Sequence, residues 1–217
     1  MVRLESCAAG FESRPAGKLI PLHLASFACP HIVDPVNKAE LLGYLEKIDG
    51  ELKSTAILHI YGSAAFMLLD EPERTSLDID VAAPYSDVDE SELRRAAGLA
   101  GIPLNPVDDY SADHLEWISA VRLCLAQPNA GTDIVLWRGR NLLVKTGSVP
   151  QLIASKLIRY DEIDRSDIQY LCRQIPVRID TVEAAVGDLP EAFREDPLVR
   201  ENLANFKIDA SLWGLRP

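Results

Sequence analysis

The chain has 217 residues, 47% hydrophobic and 25% charged, a balance that suits one large domain or a core with an appendage and excludes disordered, collagen-like and coiled-coil chains. Its 22 basic and 33 acidic side chains leave a net charge of −11, which argues against an extended face for duplex DNA. The four cysteines form no Cys-x-x-Cys pair, no apolar run nears the roughly 18 residues of a membrane span, and the first residues lack a secretory layout, so a soluble, cytoplasmic protein without metal cage or disulfide framework is expected.

Residues 1–33 scatter Gly10, Pro15, Gly17, Pro21 and Pro30 among short apolar pieces and read as an irregular segment. From Asp34, a possible cap, with Pro35 suited to the first helical position, Leu41, Leu42, Leu45 and Ile48 recur at helical spacing as far as Gly50. Residues 56–61 form a short apolar run with β-branched and aromatic members. The Gly62-Ser63 pair and the small apolar stretch 64–69 follow it, which reads as strand, tight turn and buried helix. Glu71-Pro72-Glu73 ends that helix, and Leu77, Ile79 and Val81 then alternate with Ser76, Asp78 and Asp80, the period of a strand with both aspartates on one face.

A helix over 91–100 with Ser91 as cap is expected next, then a loop over 102–112. Two strand-like runs, 134–137 and 142–145, are joined as a hairpin by Arg138-Gly139-Arg140-Asn141. Ser148-Val149-Pro150 opens a helix through Tyr160, and beyond Asp164 the chain reads as helical with interruptions at Pro176, Pro190 and Pro197. The predicted class is α+β: a small mixed sheet with packed helices over 34–147 and a helical part over 148–217.

Phosphate-loop, His-Glu-x-x-His and Gly-x-Ser-x-Gly patterns are absent, and Cys29-Pro30-His31 is too short to be a metal site. Asp78 and Asp80 carry the first chemical signal. Aspartate is depleted in strands and two like charges on one face repel, so keeping both calls for full solvation or a compensating cation. Side chains two residues apart on a strand have roots about 7 Å apart and can converge on Mg2+ or Mn2+, hard cations that prefer carboxylate and phosphate oxygens. The Gly62-Ser63 turn lets backbone approach a ligand, and the N–H groups opening the next helix favour phosphate; an ordinary serine cap is the alternative. A phosphate-friendly turn with a metal-gripping strand fits nucleotidyl transfer from a nucleoside triphosphate.

Gly62-Ser63, followed by Arg74-Thr75-Ser76-Leu77-Asp78-Ile79-Asp80-Val81, resembles the polymerase-β-type nucleotidyltransferase superfamily. The arginine and hydroxyl residues ahead of Asp-Ile-Asp-Val are similar to its bacterial AbiEii/MenT-like and uncharacterised relatives. Leu152-Ile153-Ala154-Ser155-Lys156-Leu157, then Asp164-Arg165-Ser166-Asp167-Ile168 and Leu171, resembles their second block. The resemblance implies that Gly62 and Ser63 hold the triphosphate, Asp78 and Asp80 bind magnesium, Lys156 contacts the phosphates, Asp167 is an acidic partner or base, and Arg74 contacts nucleotide or acceptor. Lys156 and Asp167 are 11 residues apart (167 − 156), and an unbroken helix would separate them by about 16 Å, so a bend over 161–166 has to bring them together, or only one belongs. Such enzymes commonly use a further acid on a neighbouring strand. Asp133 is the candidate, with a turn-closing acid after Gly131-Thr132 as the alternative.

The implied activity is metal-dependent transfer of a nucleoside monophosphate from a nucleoside triphosphate to a hydroxyl of an RNA, protein or small-molecule acceptor, toxin-like and with an antitoxin protein as a partner. A basic strip at Arg138, Arg140 and Lys145 would serve RNA locally. The alternative is a catalytically inactive module of the same fold that binds nucleotide or a partner. His59, His114, Trp117 and Trp137 are assigned no role.

Overall fold

The computed structural model describes residues 35–76, 78–106, 112–119 and 122–214. The irregular segment over 1–33, the cap expected at Asp34 and the strand position Leu77 lie outside them. Helix α1 (Lys38–Glu51) starts later than the Asp34-Pro35 pattern predicts, because Asn37 caps it: Asn37 Oδ1 accepts from the Ala39 and Glu40 N–H groups while Glu40 reaches back to Asn37 N–H. Its Leu41, Leu45 and Ile48 are buried. Strand β1 (Ala56–His59) leads through Tyr61 into the short helix α2 (Gly62–Leu68), whose residues 64–68 are all buried. After β2 (Asp78–Ala82) comes α3 (Glu90–Ala100), capped by Asp89 rather than Ser91, since Asp89 Oδ1 accepts from Glu92 N–H at 2.8 Å.

Strand β3 (His114–Ile118) falls where no strand was expected, whereas β4 (Ile134–Arg138) and β5 (Leu142–Thr146) form the predicted hairpin. The Asp49 carboxylate of α1 clamps that hairpin by accepting from the Arg140, Asn141 and Leu142 N–H groups. Five helices follow: α4 (Val149–Lys156), α5 (Glu162–Gln174), α6 (Ile179–Gly187), α7 (Glu191–Arg194) and α8 (Pro197–Leu212). Among the described residues no helix is long and apolar enough to cross a membrane.

The chain is a mixed α and β structure. One sheet has the order β1-β5-β4, with β1 and β5 parallel and β4 and β5 antiparallel; β2 and β3 form a parallel pair. An isolated bridge between Ile60 and Val81 ties the end of β1 to β2. Two apolar clusters underlie these layers. The first joins α1, α3 and the strands; the second joins α4, α5, α6 and α8, and α2 contributes Ala64, Ala65, Met67 and Leu68 to the first and Phe66 to the second.

The helix predicted to run through Tyr160 ends at Lys156. Contacts from distant sequence explain the break. Asn202 of α8 donates to the carbonyls of Leu157 (2.8 Å) and Arg159 (3.4 Å), Tyr160 Oη donates to Asp209 Oδ2 (2.7 Å), and Tyr160 adopts φ 55°, which a continuing helix cannot accommodate. Asp161 then caps α5 by accepting from Asp164 N–H. The bend therefore lies at 157–161, ahead of the 161–166 expected.

Candidate functional site

On β2 the inward residues Ile79 and Val81 are buried, and Asp78 and Asp80 occupy the other face. A slip of one residue would put both acids into the apolar core, so the burial of Ile79 and Val81 fixes where the carboxylates point. The parallel register sets Asp80 opposite Glu116 of β3. Neighbouring strands are about 4.8 Å apart, so this pairing brings a third carboxylate onto the same face. One oxygen from each of Asp78, Asp80 and Glu116 lies within 4.8 Å of the others.

Each acid is held differently. Asp78 Oδ1 accepts from Ser76 Oγ (3.0 Å), and Glu116 Oε1 accepts from Arg122 Nη1 (2.6 Å). The Asp80 carboxylate has no hydrogen-bond partner among the described residues and packs against Gly62, where an added Cβ would overlap Asp80 Oδ2. Gly62 has φ 64°, and the Tyr61 N–H donates to the Asp80 carbonyl (3.2 Å), so this turn docks directly on β2 and depends on glycine twice over. Burial, followed by repulsion from Asp78 and Glu116, pushes the Asp80 carboxyl up to about 7.

Facing the acids is a basic group. A cleft of about 600 Å³ is lined by Gly62, Ser63, Asp80, Arg74, Lys156 and Arg159 among others. Arg74 donates to both oxygens of Asp167 (2.7 and 3.1 Å) and to Ser63 Oγ (3.0 Å). Lys156 Nζ pairs with Asp164 (3.0 Å) and Asp167 (2.7 Å), and Arg159 grips Asp164 through Nε and Nη2. Both aspartates are buried, and these pairings occupy their oxygens and fix where the cations sit. Arg74 and Lys156 also lie over the ring of buried Phe66, at 5.7 and 5.2 Å from its centroid. Glu71 Oε2 is buried without a hydrogen bond, 3.6 Å from Arg74 Nη1, and burial raises its carboxyl pKa despite Arg74.

The structure thus brings together Gly62, Ser63, Arg74, Asp78, Asp80, Lys156 and Asp167. It does not bring Asp133 to them. Asp133 precedes β4, and its Oδ1 accepts from Asn129 N–H, closing the turn that was the alternative reading of this acid. The carboxylate beside Asp78 and Asp80 is Glu116 instead. Asp164, which holds both Lys156 and Arg159, was likewise given no role of its own. The strip Arg138, Arg140 and Lys145 lies on the β4–β5 hairpin, in a different sheet from the acids. Burial lowers the pKa of His59, which keeps it neutral in its strand. Comparison with known proteins gives no match, whether to family models, to curated proteins or to solved structures.

Proposed function

We propose that the protein is a metal-dependent nucleotidyltransferase of the polymerase-β-like fold that moves a nucleoside monophosphate from a nucleoside triphosphate to a hydroxyl. The observation that carries this reading is the set of three carboxylates, Asp78, Asp80 and Glu116, on one face of β2 and β3, of which Asp80 lines a cleft together with Arg74, Lys156 and Arg159. Their oxygens suit a dication. Ligands around one Mg2+ at about 2.1 Å stand about 3 to 4 Å apart, so carboxylates already within 4.8 Å need only small rotamer shifts. A bound Mg2+ or Mn2+ would neutralise charge developing on the transferred phosphoryl group.

The chain's own groups divide the remaining work. Gly62 leaves room for the Asp80 carboxylate to dock against the turn, Arg74, Lys156 and Arg159 attract the anion, and Glu116 takes the part expected of Asp133, accepting the proton of the acceptor hydroxyl. With its net charge of −11, the chain suits a small-molecule or protein acceptor, or a locally gripped RNA, better than a long nucleic-acid footprint.

The test is incubation with each α-labelled nucleoside triphosphate and Mg2+ or Mn2+, together with cell RNA, cell protein and small hydroxyl acceptors. Label transfer with pyrophosphate release, abolished in Asp78→Ala, Asp80→Ala and Glu116→Ala, is the expected result. Triphosphate binding without pyrophosphate release from any acceptor would replace this reading with that of an inactive nucleotide-binding module.

A further inference from the structure

A second cavity of about 310 Å³ shares Gly62, Lys156 and Arg159 with the cleft and adds Tyr61, Cys124, Ser155, Ile158 and Asp164. The two differ in character. Ser63, Arg74, Thr75 and Asp80 make the larger cleft polar and charged, whereas the smaller one is walled by an aromatic ring, a thiol and an aliphatic side chain. Of its charged neighbours, Asp164 is already matched by Lys156 and Arg159. A cavity that sets Tyr61, Cys124 and Ile158 beside Ser155 and the Lys156, Arg159 and Asp164 group offers both apolar walls and polar handles to a flat organic body.

The handles are specific. Tyr61 is 8% exposed, and its hydroxyl makes no hydrogen bond among the described residues. A phenol hydroxyl at this wall can both donate and accept. Ser155 Oγ donates to the Leu152 carbonyl and keeps its lone pairs for an incoming donor. Burial also raises the Cys124 pKa, which makes this thiol a wall and not a nucleophile.

We propose that this smaller cavity is the nucleoside subsite of the site described above: base and ribose enter between Tyr61, Cys124 and Ile158, while Lys156 and Arg159 at the shared rim face the phosphates. The inference rests on the triphosphate reading and adds to it the place that distinguishes a nucleotide from a bare polyphosphate. Tyr61 supplies a hydroxyl at the cavity wall to which a nucleoside can hydrogen-bond.

Titration calorimetry of the full chain in Mg2+ with each of the four ribonucleoside triphosphates and with inorganic tripolyphosphate tests it. At least one nucleotide is expected to bind about tenfold tighter than tripolyphosphate. Ile158→Trp, which fills the cavity, should erase that advantage and leave tripolyphosphate binding unchanged. Tyr61→Phe, which keeps the ring and so the packing, should weaken the nucleotide alone by about fivefold, the effect of one neutral hydrogen bond. Equal wild-type affinity for nucleotides and tripolyphosphate overturns the subsite while the activity proposed above stands, as does a Tyr61→Phe variant that melts normally and binds every ligand as the wild type does. No binding of either ligand class overturns both readings.

Discussion

Replacing Asp80 by asparagine isolates the electrostatic load at the centre of the acid group. Its carboxyl is raised from an ordinary value of 3.8 to about 7 by burial and by Asp78 and Glu116. Between those values the folded chain keeps a proton that the unfolded chain has released. The stability tied to that proton is therefore present in acid and is lost as pH rises through 7. About three units at about 1.4 kcal/mol each set a ceiling of about 4 kcal/mol, and residual solvent contact brings the expected cost to about 2 kcal/mol. Asp80→Asn removes the charge without removing volume. In chelator at pH 8 its midpoint by differential scanning fluorimetry should exceed that of the wild type by about 6 °C, and the gap should shrink to less than half by about pH 5 and close near about pH 4. Added Mg2+ should raise the wild-type midpoint at pH 8 by mass action and leave the variant's unchanged. A gap that is the same at pH 5 and pH 8 would refute the argument from burial and repulsion.

Asp167→Ala leaves Arg74 without its bidentate partner and Lys156 with Asp164 alone, and should cost about 3 to 5 kcal/mol in urea unfolding. Gly62→Ala forces a Cβ onto Asp80 Oδ2 at a positive φ; spin-resonance titration with Mn2+ should show divalent binding weakened at least tenfold in a chain whose far-ultraviolet circular dichroism is native. Asn202→Ala removes the donor that holds the Leu157 and Arg159 carbonyls and should lower stability by about 1 to 2 kcal/mol, with faster amide exchange measured across residues 157–161.

Local pattern was enough where the structure depends on local pattern. The alternation around Asp78 and Asp80 defines β2, and Arg138-Gly139-Arg140-Asn141 lies at the reversal between two β-branched runs, so the β4–β5 hairpin could be read directly. Glu116 was not legible in the same way. It joins the acids only through the register of β3 on β2, a pairing between segments 36 residues apart (116 − 80), and a lone acid between Leu115 and Trp117 is a weak sign of a strand. Asp133 looked the better third acid because it precedes an evident strand, but that strand belongs to the other sheet. The end of α4 was hidden for a related reason: no glycine or proline marks it, and the groups that break the helix are Asn202 and Asp209, far along the chain. At the caps, the pattern pointed to Asp34 and Ser91, and Asn37 and Asp89 are the side chains that accept from the first free N–H groups.

Helix α2 belongs to both apolar clusters, and its seven residues are too few to hold a helix unaided. Gly62 opens that helix, so the glycine turn keeps its shape only while both halves of the interior stay packed against α2. Warming or denaturant accordingly has no route to a species that is still folded yet blind to ligand. Recognition and folded state should vanish along one curve, and a partly melted intermediate that retains either should be absent.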